Sequence, residues 1–167
     1  PLTCACQFGR FDDVKVLIAG HDETASGMTL KEMVNKVGKS SGGYDWTPLA
    51  IATSNECTDI KIHLVEHGAD INLQETSGNK YTALHYAMNN SNHALAKLLL
   101  ENKAKTNILD DSYDKLAPLH IAVQKRKLEL VQLLLEYNAH IDLKTNCSGK
   151  SSLIFSIEND DFNIAKY

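Results

Sequence analysis

Thr82-Ala83-Leu84-His85-Tyr86-Ala87 leads, after a short interval, to the apolar run Leu98-Leu99-Leu100. The same arrangement returns downstream, where Pro118-Leu119-His120-Ile121-Ala122 precedes Leu133-Leu134-Leu135. It also stands upstream, where Pro48-Leu49-Ala50-Ile51-Ala52 precedes Leu64-Val65. Weaker copies begin at Pro1-Leu2-Thr3-Cys4-Ala5, followed by Val16-Leu17-Ile18, and at Ser152-Leu153-Ile154-Phe155-Ser156. Starts at 1, 48, 83, 118 and 152 give spacings of 47, 35, 35 and 34 residues. A fixed period of this size is the signature of a stacked-repeat architecture. Within each copy, Pro suits the first turn of a short helix, where its missing N–H costs nothing. The small Ala at 5, 52, 87 and 122 allows a second helix to pack closely. That second helix carries the apolar stripe, and Gly68 or Asn138 suits the left-handed residue that stops it. One copy cannot bury its own apolar face, so neighbours must do it.

Motif, spacing and following helix together resemble the ankyrin repeat. The residues that carry the resemblance are Thr47-Pro48-Leu49, Thr82 to Ala87, Pro118 to Ala122 and Gly68-Ala69-Asp70. It implies an all-α solenoid of stacked helix-turn-helix units with short β-hairpin-like fingers. A single domain over 1–167 is expected, with repeats near 1–21, 44–74, 79–109, 114–144 and 148–167. Individual copies depart from the pattern. Ala50 stands where the family has His, Lys103 where it has Gly, Ala117 where it has Thr, and Ser151-Ser152 where it has Thr-Pro. Because the chain starts without Met and both ends cut a repeat, it reads as a piece of something longer.

The first interval holds extra residues, an insertion over 22–43. In it, Leu30, Met33, Val34 and Val37 fall on one helical face. Thr29 and Glu32 have capping-box spacing, and Gly38 is a stop signal. A short helix over 29–37 is expected, either covering the side of the stack or shaping partner binding.

Composition narrows the function. The 167 residues carry 43% hydrophobic and 23% charged residues, an ordinary globular mix. The net charge is −4, which disfavours a nucleic-acid surface. No apolar run approaches the ~20 residues needed to span a membrane, so no membrane insertion is expected. Cysteines at 4, 6, 57 and 147 are too scattered for a disulfide framework. A reducing setting, cytoplasmic or nuclear, fits them, with Cys4 and Cys6 as small core residues.

Catalytic motifs are mostly absent: there is no GxGxxG, P-loop or GxSxG. His63-Leu64-Val65-Glu66-His67 matches HxxEH, the inverted zinc-protease pattern. The same residues read more simply as the end of a repeat helix running into Gly68-Ala69-Asp70, with His67 in an exposed turn. The expectation is therefore no enzyme, no catalytic residue, no metal and no cofactor. His85 and His120 occupy the family's structural His position, bridging backbone groups of adjacent turns. Lys125-Arg126-Lys127 falls at an exposed helix junction, and Asp12-Asp13, Asp110-Asp111 and Asp160-Asp161 read as caps and solvated faces.

A recognition surface remains. The resemblance implies partner binding by finger tips and first helices on the concave side. By register these are Tyr44, Trp46, Asn79, Tyr81, Tyr113, Asp114 and Leu116 before the motifs. On the first helices they are Ser54, Asn55, Asn89, Asn90, Gln124 and Lys125, with Tyr137 at the end of a second helix. Tyr and Trp anchor interfaces because they give large, rigid area with a polar tip. The expected partner is another protein or peptide, bound by a monomer. Alternatives are a substrate-recruiting or regulatory ankyrin domain of a larger enzyme or channel, or a protein similar to the inhibitors of NF-kappa-B. Leu64, Asp70, Ile71 and Asn72 also match the pattern favoured by the ankyrin-directed asparaginyl hydroxylase, which marks Asn72 for hydroxylation.

Overall fold

The computed structural model describes residues 1–39, 45–55, 57–76 and 78–166. The chain falls into two compact units, Pro1–Gly78 and Asn79–Tyr167.

The first unit opens with α1 (Leu2–Gln7) and α2 (Phe11–Ala19), then α3 (Glu23–Ser26) and α4 (Leu30–Asn35). A two-residue hairpin follows, β1 (Gly38–Lys39) antiparallel to β2 (Asp45–Trp46), with Gly38 opposite Trp46. The unit closes with α5 (Pro48–Ser54) and α6 (Thr58–Glu66). α1 packs on α2 and α5, and α6 packs on α5 and α2, so two helix pairs lie side by side. Ala5, Ala52, Val14, Ile60 and Leu64 are buried between them.

The second unit contains α7 (Ala83–Asn89), α8 (His93–Glu101), α9 (Pro118–Gln124), α10 (Leu128–Glu136), α11 (Ser152–Glu158) and α12 (Phe162–Ala165). First helices α7, α9 and α11 form one row; second helices α8, α10 and α12 form the other. Leu84, Leu99, Leu130 and Leu134 are almost fully buried at the contact. Each such side chain stabilises the fold by about 2 kcal/mol relative to exposure.

The period reaches the backbone. The N–H groups of Asn92, Lys127 and Asp161 donate to the carbonyls of Ala87, Ala122 and Ser156, closing each tight turn between helices over a small buried residue. After the second helices, Gly68, Lys103 and Asn138 all take positive φ, 86°, 67° and 60°. The following Ala69, Ala104 and Ala139 donate back to Leu64, Leu99 and Leu134. Lys103 adopts the glycine conformation despite its side chain, which costs about 1 kcal/mol.

The insertion departs from expectation in two ways. Its helix starts as anticipated, with the Thr29–Glu32 capping box formed, but ends at Asn35 because Lys36 turns extended. Gly38 is therefore a strand residue lying against Thr3 of α1, not a helix stop. The extra helix α3 is held by Asp22, whose carboxylate accepts from the N–H groups of Thr24 and Ala25. α4 is docked rather than projecting. Val34 is buried, and the Asn35 amide both donates to the Gly68 carbonyl at 3.0 Å and accepts from Asp70 N–H at 2.6 Å. Asn107 spans Asn138 and His140 in the same manner in the second unit. Cys6 is buried as expected, and burial pushes its thiol up to about 12; Cys4, by contrast, is exposed.

Candidate functional site

In the second unit, hairpin loops precede α9 and α11 and are stiffened from within. Asp110 N–H donates to the Leu116 carbonyl at 2.9 Å. The Asp110 carboxylate accepts from Leu116 N–H at 2.7 Å, Ser112 N–H at 3.1 Å and the Ser112 hydroxyl at 2.6 Å. In the next loop, Thr145 N–H donates to the Lys150 carbonyl, and its hydroxyl accepts from Lys150 N–H. Successive loops are also tied to one another. Asp111 N–H donates to the Asn79 carbonyl at 2.6 Å, and Asn146 N–H donates to the Asp114 carbonyl at 2.8 Å. Lys80 pairs with Asp111 at 2.7 Å, and this ammonium holds the Asp111 carboxyl below its usual range. Tyr113 stands at a tip secured on both sides, yet its side chain is 85% exposed.

Beneath the loops, two buried imidazoles join each helix row to the next loop. His85 Nδ1 lies 2.7 Å from the Thr82 hydroxyl and accepts from Thr82 N–H, so Nε2 carries the hydrogen and donates to the Leu116 carbonyl at 3.2 Å. His120 repeats this, accepting from Ala117 N–H and donating to the Leu143 carbonyl at 2.8 Å. Burial pushes His85 down to about 4 and His120 below its ordinary value, so both are neutral hydrogen-bond bridges. These positions are structural, as the sequence implied.

The repeat that recurs in sequence thus recurs as helix pair, turn, imidazole bridge and loop. A model of ankyrin repeats, three copies in length, matches residues 1–110 and 89–167. The chain belongs to the ankyrin-repeat family. No curated protein sequence matches it. Ankyrin repeats are generally protein–protein interaction modules and typically non-catalytic, and their fold class is the helix-turn-helix solenoid.

The structure sorts the residues singled out on the ankyrin surface. On the second unit, Asn79 and Tyr113 are exposed at the loops, and Asn89, Gln124 and Lys125 are exposed at the ends of α7 and α9. Asn90 and Asp114 are half-buried beside them. Tyr81 is half-buried, stacked on His85 at 5.4 Å and meeting Tyr86 edge-on at 5.2 Å, so it staples its own repeat. Leu116 is half-buried, and both its backbone groups serve Asp110 and His85. Tyr137 projects from the end of α10 but lines a shallow groove with Lys103, Asn107 and His140 rather than joining the tips. On the first unit, Trp46 is half-buried in the β1–β2 finger. Ser54 is half-buried, and its hydroxyl donates to the Ile51 carbonyl at 2.9 Å. Asn55 is exposed, but its amide donates to the Gln7 carbonyl at 2.7 Å, tying α5 to α1. Tyr44 lies outside the described residues.

Amide clamps such as those of Asn35, Asn55 and Asn107 escaped the sequence reading. Asn72 itself is half-buried, with its N–H on the Asp70 carboxylate at 2.9 Å.

Among the described residues, one cluster of metal-ligating side chains lies on the first unit. His63, Glu66 and His67, at the C-terminal end of α6, bring one ligand atom each within 4.8 Å of one another. His67 follows the last residue of α6, as expected for the turn, though it is half-buried. Desolvation, and then repulsion from His67, lowers the pKa of His63.

Proposed function

We propose that the chain is a non-catalytic module that binds a partner protein through the loop tips and first-helix ends of its second unit. The surface comprises Asn79, Asn89, Asn90, Tyr113, Asp114, Gln124 and Lys125. The observation that carries this reading is Tyr113: a large aromatic, 85% exposed, on a loop already ordered by hydrogen bonds at Asp111 and Asp114. Ordering a loop before binding removes part of the entropic cost of association. An exposed tyrosine on a face that also carries the polar Asn79, Asn89 and Gln124 fits the aromatic-centred, polar-rimmed pattern of protein interfaces. Tyr44, Trp46 and Asn55 are proposed separately as partner contacts of the first unit. The same surface would serve a substrate-recruiting or regulatory domain of a larger protein, or an inhibitor-like binder. A monomer in a reducing cytoplasmic or nuclear setting is the context we propose.

The test is affinity capture from source cells, comparing the wild-type chain with Tyr113→Ala, both checked for equal helical circular dichroism. A hot-spot aromatic costs about 2 kcal/mol or more when truncated, which is about thirtyfold in affinity. The expected result is a protein retained by wild type and lost by Tyr113→Ala. Equal recovery of every captured protein would refute the proposed face.

We also propose Asn72 as a hydroxylation site. Leu64, Asp70 and Ile71 precede it at the spacing the ankyrin-directed hydroxylase favours. Intact mass of the protein from its own cell should reveal one added oxygen; its absence would remove the idea.

A further inference from the structure

The binding surface leaves the cluster on α6 unused. His63 and His67 lie one helical turn apart, and Glu66 falls three residues after His63, so all three share a side of the helix. His67 Nδ1 is 2.8 Å from the His63 carbonyl. An N–H there donates to that carbonyl and leaves the Nε2 lone pair for a ligand. Metal-binding imidazoles are oriented in this way, with the second ring nitrogen tied to a backbone acceptor. The His63 ring is positioned from the neighbouring helix. Phe11 of α2 meets it edge-on at 5.6 Å and 88°, and the His63 and His67 centroids are 4.2 Å apart. Both rings are half-buried while Glu66 is exposed, so solvent reaches the cluster from one side.

We propose that His63, Glu66 and His67 form a binding site for one divalent transition-metal ion, Zn2+ first among them. Two imidazole nitrogens and a carboxylate oxygen suit zinc and its neighbours; calcium and magnesium prefer all-oxygen shells. Three protein ligands leave the remaining position to water. Ligand atoms around tetrahedral zinc sit about 3.3 Å apart, given Zn–N bonds of about 2.0 Å. The three ligand atoms lie within 4.8 Å of one another, so they must draw in to reach that spacing. The ion would staple the last turn of α6. That helix also carries a buried lysine, Lys61, on its inward side. Because the three ligands converge only when α6 is helical, the metal binds the folded state and stabilises it.

The experiment is calorimetric titration of ZnCl2 into the reduced full chain, with ring-proton NMR of the histidines along the same titration. The site predicts one Zn2+ per chain. His63→Gln and His67→Gln should each weaken binding at least about tenfold, while His140→Gln, at an exposed histidine elsewhere, changes nothing. Glu66→Gln alters one exposed side chain and keeps the helix intact if a histidine variant fails to fold; it should weaken binding several-fold. The ring signals of His63 and His67 should move first in the wild-type chain, a readout that needs no variant. Absence of saturable binding would overturn the proposal. So would stoichiometric binding that leaves those two rings unmoved, which would place the metal on other groups such as the exposed thiols of Cys4 and Cys147.

Discussion

Acidification should loosen the second unit through His85. The ring is fully buried and neutral, accepting from Thr82 N–H and donating to the Leu116 carbonyl. A second proton on Nδ1 would destroy the Thr82 bond and place a charge in the interior. Burial accordingly pulls the folded-state value from 6.5 to about 4. The sign follows: the unfolded chain takes the proton first, so the stabilisation is complete above pH 6.5 and is lost as pH falls toward 4. The gap corresponds to about 3 kcal/mol in full, of which about 2 is already lost at pH 5. That is a large share of a typical stability of 5–15 kcal/mol. The assay is urea denaturation by circular dichroism at pH 7.5 and 5.0, on the wild-type chain and His85→Gln. Glutamine does not titrate, so the variant should lose about 2 kcal/mol less than wild type between the two pH values. His120 and His63, also lowered by burial, remain in both proteins and cancel. The low carboxylates Asp12, Asp22, Glu32 and Asp111 respond below this window. Equal losses in the two proteins, or stability that rises on acidification, would refute the reasoning.

Three further outcomes follow from the backbone and the caps. Gly38→Ala should destabilise the chain by about 1–3 kcal/mol in denaturant titration, because a Cβ there meets the buried Thr3 hydroxyl and lies 2.8 Å from Thr3 Cβ. Lys103→Gly should stabilise by about 0.5–1 kcal/mol in the same assay, since φ is 67° and strain relief outweighs the added chain entropy. Ala117→Thr should raise stability by about 1 kcal/mol, measured as a higher melting midpoint. It supplies to α9 the cap hydroxyl that Thr82 gives α7, where that oxygen meets His85.

Residues that repeat in sequence were the ones whose structure could be read in advance. Ala52, Ala87 and Ala122 are buried because two helices must cross there, and that demand leaves a small residue every 35 positions. Gly68 and Asn138 announced their turns, and Thr29 with Glu32 announced α4. Lys103 was marked as a turn only by its register with Gly68 and Asn138, since a lysine does not itself favour the left-handed conformation. α3 has four residues and no apolar stripe, so periodicity cannot detect it; only Asp22 ahead of Thr24 marks it. β1 and β2 are two residues each, too short to show alternation. On the surface, Tyr113 is exposed at the loop position where the register puts it. The pattern missed which polar side chains are already engaged. The Asn55 bond to Gln7 spans 48 residues, and no local pattern encodes it. The HxxEH cluster was visible in sequence, but the Phe11 contact and the His67–carbonyl bond that give it geometry were not.

The most direct test of the central claim is backbone hydrogen–deuterium exchange of the chain with and without its captured partner. Recognition by the finger face predicts new protection at residues 79–90, 111–116 and 124–125, with little change along α8 and α10. Protection confined to the second helices, with the Tyr113 loop exchanging as before, would contradict it.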